Sequence, residues 1–432
     1  MRQFINVVVN TLIANVTTSF LWFALTFWVY LETRSVLATA IIGGSYMLLV
    51  AVSSLFFGTL VDRFKKKQVM VASSLFTLGT YIISAAIFLL VSEKDLLDWT
   101  SAGFWLFSGI ILAGSVVENM RNIALSTTVT LLVPKKKHAN ANGLVGTVQG
   151  ISFLVTSVFS GLAIGQLGMG WTLAIALVLT LLATIHLIFF VSIPEEHVEH
   201  DPELANKHID IKGSIAAIKT VPGLFALLFF STFNNFIGGV YMALMDPYGL
   251  TLFSVELWGV ILGITSTGFI IGGLLIGKWG LGKRPLRTLL IANIAMAILG
   301  MLFTIREFWL LYAIGIFLYM CLIPFIEATE QTVIQRVVPL KRQGRVFGFA
   351  QSIESAAAPI TALLIGPIAE FVVLPYAASN EGASALAPLL GEGDARGVAL
   401  IFLIAGGVML VTAALAFTTK SYRILSKFYA KA

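Results

Sequence analysis

The chain is a succession of apolar runs, each long enough to cross a bilayer as a helix and each ended by a polar or basic break. A hydrocarbon core about 30 Å thick needs roughly 20 apolar residues at the helical rise. Runs of that length fall near residues 9–31, 37–61, 68–91, 103–133, 143–167, 172–193, 222–246, 256–280, 286–305, 308–338, 345–372 and 398–419. They are continuous and do not alternate every second residue, so they predict helices and exclude barrel strands. Charged residues make up 12% of the chain, about half the roughly 25% of a soluble domain, which excludes a water-soluble globule. The expected fold is an all-α membrane protein of twelve transmembrane helices in two six-helix halves.

The basic residues are distributed unevenly. With the N-terminus inside, 23 of the 28 Lys and Arg lie on the inner side. Arg34, Lys94, Arg306 and Arg396 lie outside, and Arg121 sits within a span. The positive-inside rule then puts both termini in the cytoplasm of a multi-pass protein of the cell membrane, with a bacterial membrane fitting best. Topology thus accounts for the net charge of +6, and no nucleic-acid partner is expected. The N-terminus has no small-residue cleavage site and reads as an uncleaved first span. Cys321 is the single cysteine, so an intramolecular disulfide is excluded.

The longest polar stretch, 195–223, reads as a linker with room for a short surface helix. The chain therefore divides into an N-terminal six-helix bundle (1–193), a cytoplasmic linker (194–222), a C-terminal six-helix bundle (223–419) and a basic tail (420–432), which is expected to lie on anionic lipid. An internal repeat makes the halves pseudo-symmetric. Val133, Pro134, Gly146, Gln149 and Ile151 after span four are matched by Val338, Pro339, Gly348, Gln351 and Ile353 after span ten, each set around a basic turn. Many transporters are built from such repeats.

The turn after span two reads FGTLVDRFKKKQVM and resembles the signature of the major facilitator superfamily, Gly-x-x-x-Asp-Arg-x-Gly-Arg-Lys. Gly58, Asp62, Arg63, Lys66 and Lys67 match it, and Lys65 replaces the second Gly. At a membrane surface the Asp suits capping of a neighbouring helix and the cations suit anionic lipid. The second half keeps Lys283, Arg284 and Arg287 in the equivalent turn but has Leu281 at the Asp position. The repeated Val-Pro and Gly-x-x-Gln pattern is similar to that of the drug:proton antiporters that include macrolide exporters and a siderophore exporter. Of the Arg-x-x-Gln-Gly motif of related antiporters only Arg121 is present, and the fifth-helix Gly-Pro motif is missing. The resemblance implies the major facilitator fold, alternating access, and a central cavity lined by spans one, four, seven and ten.

Ionisable groups at membrane depth are costly and mark function or pairing. Glu118 and Arg121 lie one helical turn apart and suit an ion pair. Glu327 and Glu330 have the same spacing with like charges, an arrangement relieved by taking up a proton, and Glu354 stands in a small-residue stretch of span eleven. These five are the candidate proton-coupling residues. Asn15, Asn119, Asn122, Asn234, Asn235 and Gln331 are candidate cavity residues with Phe233 and Phe236, whose rings suit an amphiphilic cation. Asp62, with Arg63 and Lys67, is the candidate latch of the inner gate.

Other signals carry less. Gly272 to Lys278 has the spacing of a phosphate-binding loop but ends on Trp279 inside an apolar run. Gly259, Gly263, Gly268 and Gly272, like Gly161 and Gly165, read as close-packing faces. Asn15-Val16-Thr17 matches a glycosylation acceptor but lies in the membrane. His138, His186, His197, His200 and His208 form no metal-ligand pattern, so no metal, cofactor or catalytic constellation is expected. The reading is a secondary transporter and not an enzyme, acting as a monomer on an amphiphilic drug such as a macrolide, with protons and membrane lipid as partners. The alternatives are a lysophospholipid or siderophore transporter of the same fold, with Arg121 binding the anionic headgroup, and a non-transporting sensor.

Overall fold

The computed structural model describes residues 2–33, 36–194, 209–391, 393 and 395–432. The expectations on Arg34, His197, His200, His208 and the polar part of the linker at 195–208 lie outside the described residues. The elements are helices throughout: α1 (Arg2–Thr33), α2 (Val36–Arg63), α3 (Lys66–Leu90), α4 (Glu93–Leu97), α5 (Ala102–Leu132), α6 (His138–Phe189), α7 (Ile211–Lys219), α8 (Leu224–Leu252), α9 (Val255–Trp279), α10 (Pro285–Leu302), α11 (Trp309–Val337), α12 (Leu340–Ile368), α13 (Leu374–Ala378), α14 (Asn380–Leu390), α15 (Arg396–Thr418) and α16 (Lys420–Lys431). Among the described residues eleven helical stretches are long and apolar enough to cross a membrane. One of them, α6, contains Gly168 at φ 75° and ψ 175°, outside helical geometry. That residue divides it into two spans, so twelve crossings result, as the apolar runs predict.

Local chemistry sets the ends. Ser101 Oγ accepts from Gly103 N before α5, Ser254 Oγ accepts from Leu257 N before α9, and Pro285 opens α10, the ordinary start signals of a helix. Polar flanks hide other ends from a hydropathy reading. The first span begins at Arg2, span five begins at His138, span seven runs on to Leu252, and α12 continues through a π turn (Ala369–Val373) into α13. The loop after it holds α14, which the apolar pattern does not predict.

By internal contacts the chain forms two compact units. The first comprises Met1–His138, Ile151–Ala217 and Val338–Ser352; the second comprises Ala139–Gly150, Ile218–Val337 and Ile353–Ala432. The two short exchanged segments, 139–150 and 338–352, fall within the two copies of the internal repeat. In the first unit Leu21, Leu25 and Trp28 of α1 pack with Phe104, Phe107 and Ile111 of α5, and the Trp28 ring stacks on Phe104 at 6.3 Å. The second unit is built on aromatics, with Tyr241, Tyr248, Trp258, Phe303, Tyr312 and Phe402 in one buried cluster. Leu89, Leu90, Phe189 and Leu363 are among the most exposed residues, as expected of side chains that meet lipid.

The tail packs against protein with part of its apolar face. Leu425 of α16 is buried, and Arg336 of α11 sits 4.5 Å over the Tyr429 ring. Gly223 (φ 86°) lets the tail close on the start of α8, because a Cβ there would stand 2.6 Å from the Ser421 carbonyl oxygen. Leu425 and Tyr429 are thus used on protein, while Ile424 and the basic residues Lys420, Arg423, Lys427 and Lys431 stay exposed.

Candidate functional site

In the second unit, α11 carries Glu327 and Glu330 one turn apart, and α12 brings Glu354 beside them. Glu330 is buried and adjoins both Glu354 and Ser231 of α8. Glu327 is exposed, Glu330 enclosed and Glu354 half-buried, so the group runs from an open carboxyl to an enclosed one. No Lys or Arg among the described residues pairs with any of the three. The Glu354 Oε1, Ser231 Oγ and Gln331 Oε1 atoms are buried without a hydrogen-bond partner among the described residues. Carboxyl groups at membrane depth without a protein counter-charge call for protons or a bound cation. On α8, Phe233 and Phe236 stack at 6.5 Å between centroids. Asn235 donates to the Ser231 carbonyl, whereas the Asn234 amide makes no side-chain hydrogen bond with a described residue.

In the first unit Glu118 and Arg121 form a closed network. Arg121 Nε donates to Glu118 Oε1 at 2.5 Å, its Nη1 to Asn10 Oδ1 at 2.5 Å, and its Nη2 to Ser74 Oγ. Ser73 and Thr77 of α3 donate to the other Glu118 oxygen at 2.9 and 3.3 Å. Asn10 Nδ2 then donates to the Ala183 carbonyl and lies 3.2 Å from His186 Nδ1. Arg121 is fully buried, so its guanidinium is committed to this network. His186, Ser73, Ser74, Thr77 and Asn10 are members that no sequence signal assigns to this network, since only the packing of α1, α3 and α6 on α5 brings them to Arg121. Asn119 donates to Tyr46 Oη at 3.2 Å, while the half-buried Asn15 and Asn122 amides make no side-chain hydrogen bond with described residues.

The turn after α2 holds a second charged cluster. Asp62 accepts from the backbone N–H groups of Gly344 at 2.6 Å and Arg345 at 3.0 Å, and from Arg345 Nε at 3.2 Å. It therefore caps an early turn of α12 and pairs with Arg345, not with Arg63 or Lys67. Arg63 lies over the Phe64 ring, and Lys67 Nζ donates to the Ile188 carbonyl at 2.9 Å. Lys66 is buried, so it does not meet lipid as expected. The approach needs small residues, since a Cβ on Gly58 would stand 2.5 Å from the Gly344 carbonyl oxygen.

The second unit repeats this design with neutral groups. At the start of α6, Asn140 Nδ2 donates to the Gly277 carbonyl at 3.0 Å, and Asn142 Nδ2 to Thr332 Oγ1 at 2.8 Å and Gln335 Oε1 at 2.9 Å. A Cβ on Gly143 would stand 2.5 Å from Gly277 N and 2.8 Å from the Gly273 carbonyl oxygen. Here Leu281 occupies the Asp position, and the Asn140 amide on α6 reaches the carbonyls of α9.

The sequence pattern of the Major Facilitator Superfamily matches residues 7–362. This chain belongs to that superfamily. Its relatives include Macrolide efflux protein A of Streptococcus pyogenes, 26% identical over 365 residues that cover 81% of this chain and 85% of the relative. The protein of the same name from Enterococcus faecalis is 26% identical over 321 residues, covering 70% and 92%. Among solved structures, a bacterial homologue of the iron transporter ferroportin in an outward-facing state aligns with a TM-score of 0.70, 14% identity, and 97% and 100% of the two chains. The proton:xylose symporter XylE aligns with a TM-score of 0.68, 12% identity, and 96% and 95% coverage. Identities this low establish the fold alone.

As a superfamily member the protein is a multi-pass membrane transporter and not an enzyme. Among the described residues no group of three or more His, Cys, Asp and Glu is placed to hold a metal. The glycine faces split: Gly268 and Gly272 lie against the backbone of α11, but Gly161, Gly165, Gly259 and Gly263 have nothing among the described residues within 4 Å of an added Cβ. These four are not packing contacts. Their spacing equals that of the packed pair, and only the neighbouring helix distinguishes them.

Proposed function

We propose that this transporter exports amphiphilic cationic drugs, macrolides among them, in exchange for protons. The observation that carries the reading is the group Glu327, Glu330 and Glu354, three carboxyls with no cationic partner among the described residues. A proton and a cationic substrate competing for such a group is the simplest exchange chemistry it supports. The macrolide efflux relatives support the direction and the substrate class. Phe233 and Phe236 would offer ring faces to the ligand, with Asn15, Asn122, Asn234 and Gln331 as polar contacts. Asp62 with Arg345 would hold the inner gate shut in part of the cycle, and the Glu118–Arg121 network would tune coupling. The excess of basic residues on one side supports cytoplasmic termini in a bacterial cell membrane. A lysophospholipid or siderophore substrate needs a cation for its headgroup, and Arg121 is fully committed within the protein.

The test is uptake of a fluorescent lipophilic cation and a labelled macrolide into inverted vesicles, with and without an acid-inside gradient. Gradient-dependent uptake that disappears in Glu330→Gln at equal protein level is the expected result. Full uptake by Glu327→Gln, Glu330→Gln and Glu354→Gln alike would remove the carboxyl group from the mechanism.

A further inference from the structure

Asp210 lies at the end of the linker, three residues before Gly213 and at the start of α7. As the N-cap of that nine-residue helix it needs one oxygen, and Oδ1 accepts from Gly213 N at 3.0 Å while its carbonyl accepts from Ser214 N at 2.9 Å. Capping leaves the other oxygen unexplained. Oδ2 accepts from Arg345 Nη1 at 2.6 Å, and Asp210 is only 3% exposed, which a surface cap does not require. Arg345 is 2% exposed and divides its guanidinium between Asp62 through Nε and Asp210 through Nη1. The Asp210 N–H also lies 3.4 Å from Thr59 Oγ1 on α2. A Cβ on Gly213 would stand 2.8 Å from Arg345 Nη1, so the linker backbone itself closes on the guanidinium. The buried Lys66 also acts on Asp62, so two acidic and two basic side chains gather in this cluster.

We propose that Asp210 is the third member of the latch, a positioning residue that holds Arg345 on Asp62, so that the linker is released whenever α12 leaves α2. The proposal rests on the reading above that the Asp62–Arg345 contact opens during transport. Without Asp210, Arg345 keeps one carboxylate in a site that excludes water, and its fixed planar fork loses the second charge-assisted bond that orients it. The linker is then a part of the gate and not a passive tether.

The experiment uses the full chain in lipid nanodiscs with Cys321→Ser and spin-label pairs read by pulsed electron resonance. Labels at Phe64→Cys and Lys341→Cys report the separation of α2 and α12, and labels at Phe64→Cys and Lys212→Cys report the linker. Asp210→Asn is expected to raise the ratio of separated to latched populations at the first pair about tenfold, the effect of one charge-assisted hydrogen bond. In an Arg345→Gln background the same substitution should have no opening effect, because its action runs through the guanidinium. Asp210→Ser, which keeps a cap on Gly213 without the charge, replaces Asp210→Asn if that variant is not recovered folded. An unchanged first pair in Asp210→Asn while Asp62→Asn opens it overturns the proposal, as does equal opening in the Arg345→Gln background. A 64–212 distance that stays fixed while 64–341 lengthens also overturns it. If neither Asp62→Asn nor Arg345→Gln alters the first pair, the latch reading itself has failed, and the Asp210 role falls with it.

Discussion

Arg121 shows what a charge needs in order to sit inside a membrane helix bundle. Its three guanidinium bonds go to Glu118, Asn10 and Ser74, and Glu118 in turn accepts from Ser73 and Thr77. Removing one partner leaves the other charged and buried, which costs about 3–5 kcal/mol. Arg121→Ala should therefore lower the thermal midpoint of the purified protein strongly, and the double variant Glu118→Gln with Arg121→Gln should recover part of the loss. Equal midpoints for Arg121→Ala and wild type would show that the pair contributes no stability. Asn10→Ala removes the acceptor of Arg121 Nη1 and the donor to Ala183, and should cost about 1–3 kcal/mol in the same melt.

At the scale of the helix, glycines decide where chains approach and where they turn. Gly168 adopts a backbone region open essentially to glycine, and a replacement there is strained by about 1–3 kcal/mol. Gly168→Ala should destabilise by that amount, whereas Gly161→Ala and Gly165→Ala, with open space at the added Cβ, should be nearly neutral. Differential melting of the three variants checks it. The tail helix gives the complementary case. Burial of Leu425 is worth about 1.5–3 kcal/mol and the Arg336–Tyr429 contact about 0.5–1 kcal/mol. Truncation before Lys420 should thus lower the melting midpoint although no span is lost. An unchanged midpoint would show that these contacts add no stability.

At the scale of the molecule, the two halves use one plan with different chemistry. The first joins α2 to α12 through Asp62 and Arg345, and the second joins α6 to α9 and α11 through Asn140 and Asn142. A charged contact in one turn and an amide contact in its repeat predict unequal responses to salt and substitution. Asp62→Asn should impair gradient-driven uptake in inverted vesicles more than Asn142→Ala does. The proposed inner placement of both termini is tested by a cysteine at Lys431, in the Cys321→Ser background, which should then react with an impermeant maleimide in inverted vesicles. A cysteine at Glu381 should react only from the outside of intact cells, and the opposite pattern would invert the topology.

The sequence by itself determined the helical spans, their number and the repeat, because helix length and apolarity are local properties and the bilayer imposes one length on all of them. It also singled out Glu118, Arg121, Glu327, Glu330 and Glu354, since a charge in an apolar run stands out whatever its neighbours. Only the tertiary structure decided which of these are paired. Arg121 and Glu118 meet within one helical turn, but Ser74, Asn10 and His186 come from three other helices, and no spacing along the chain encodes that meeting. Arg345 and Asp210 read as an ordinary basic turn and an ordinary linker acid until α12 and α7 are placed on α2. The glycine stripes were legible as patterns but not as contacts, because packing depends on the facing helix. Local composition specifies what crosses the membrane; charge neutralisation and close approach are long-range properties, settled where distant segments pack.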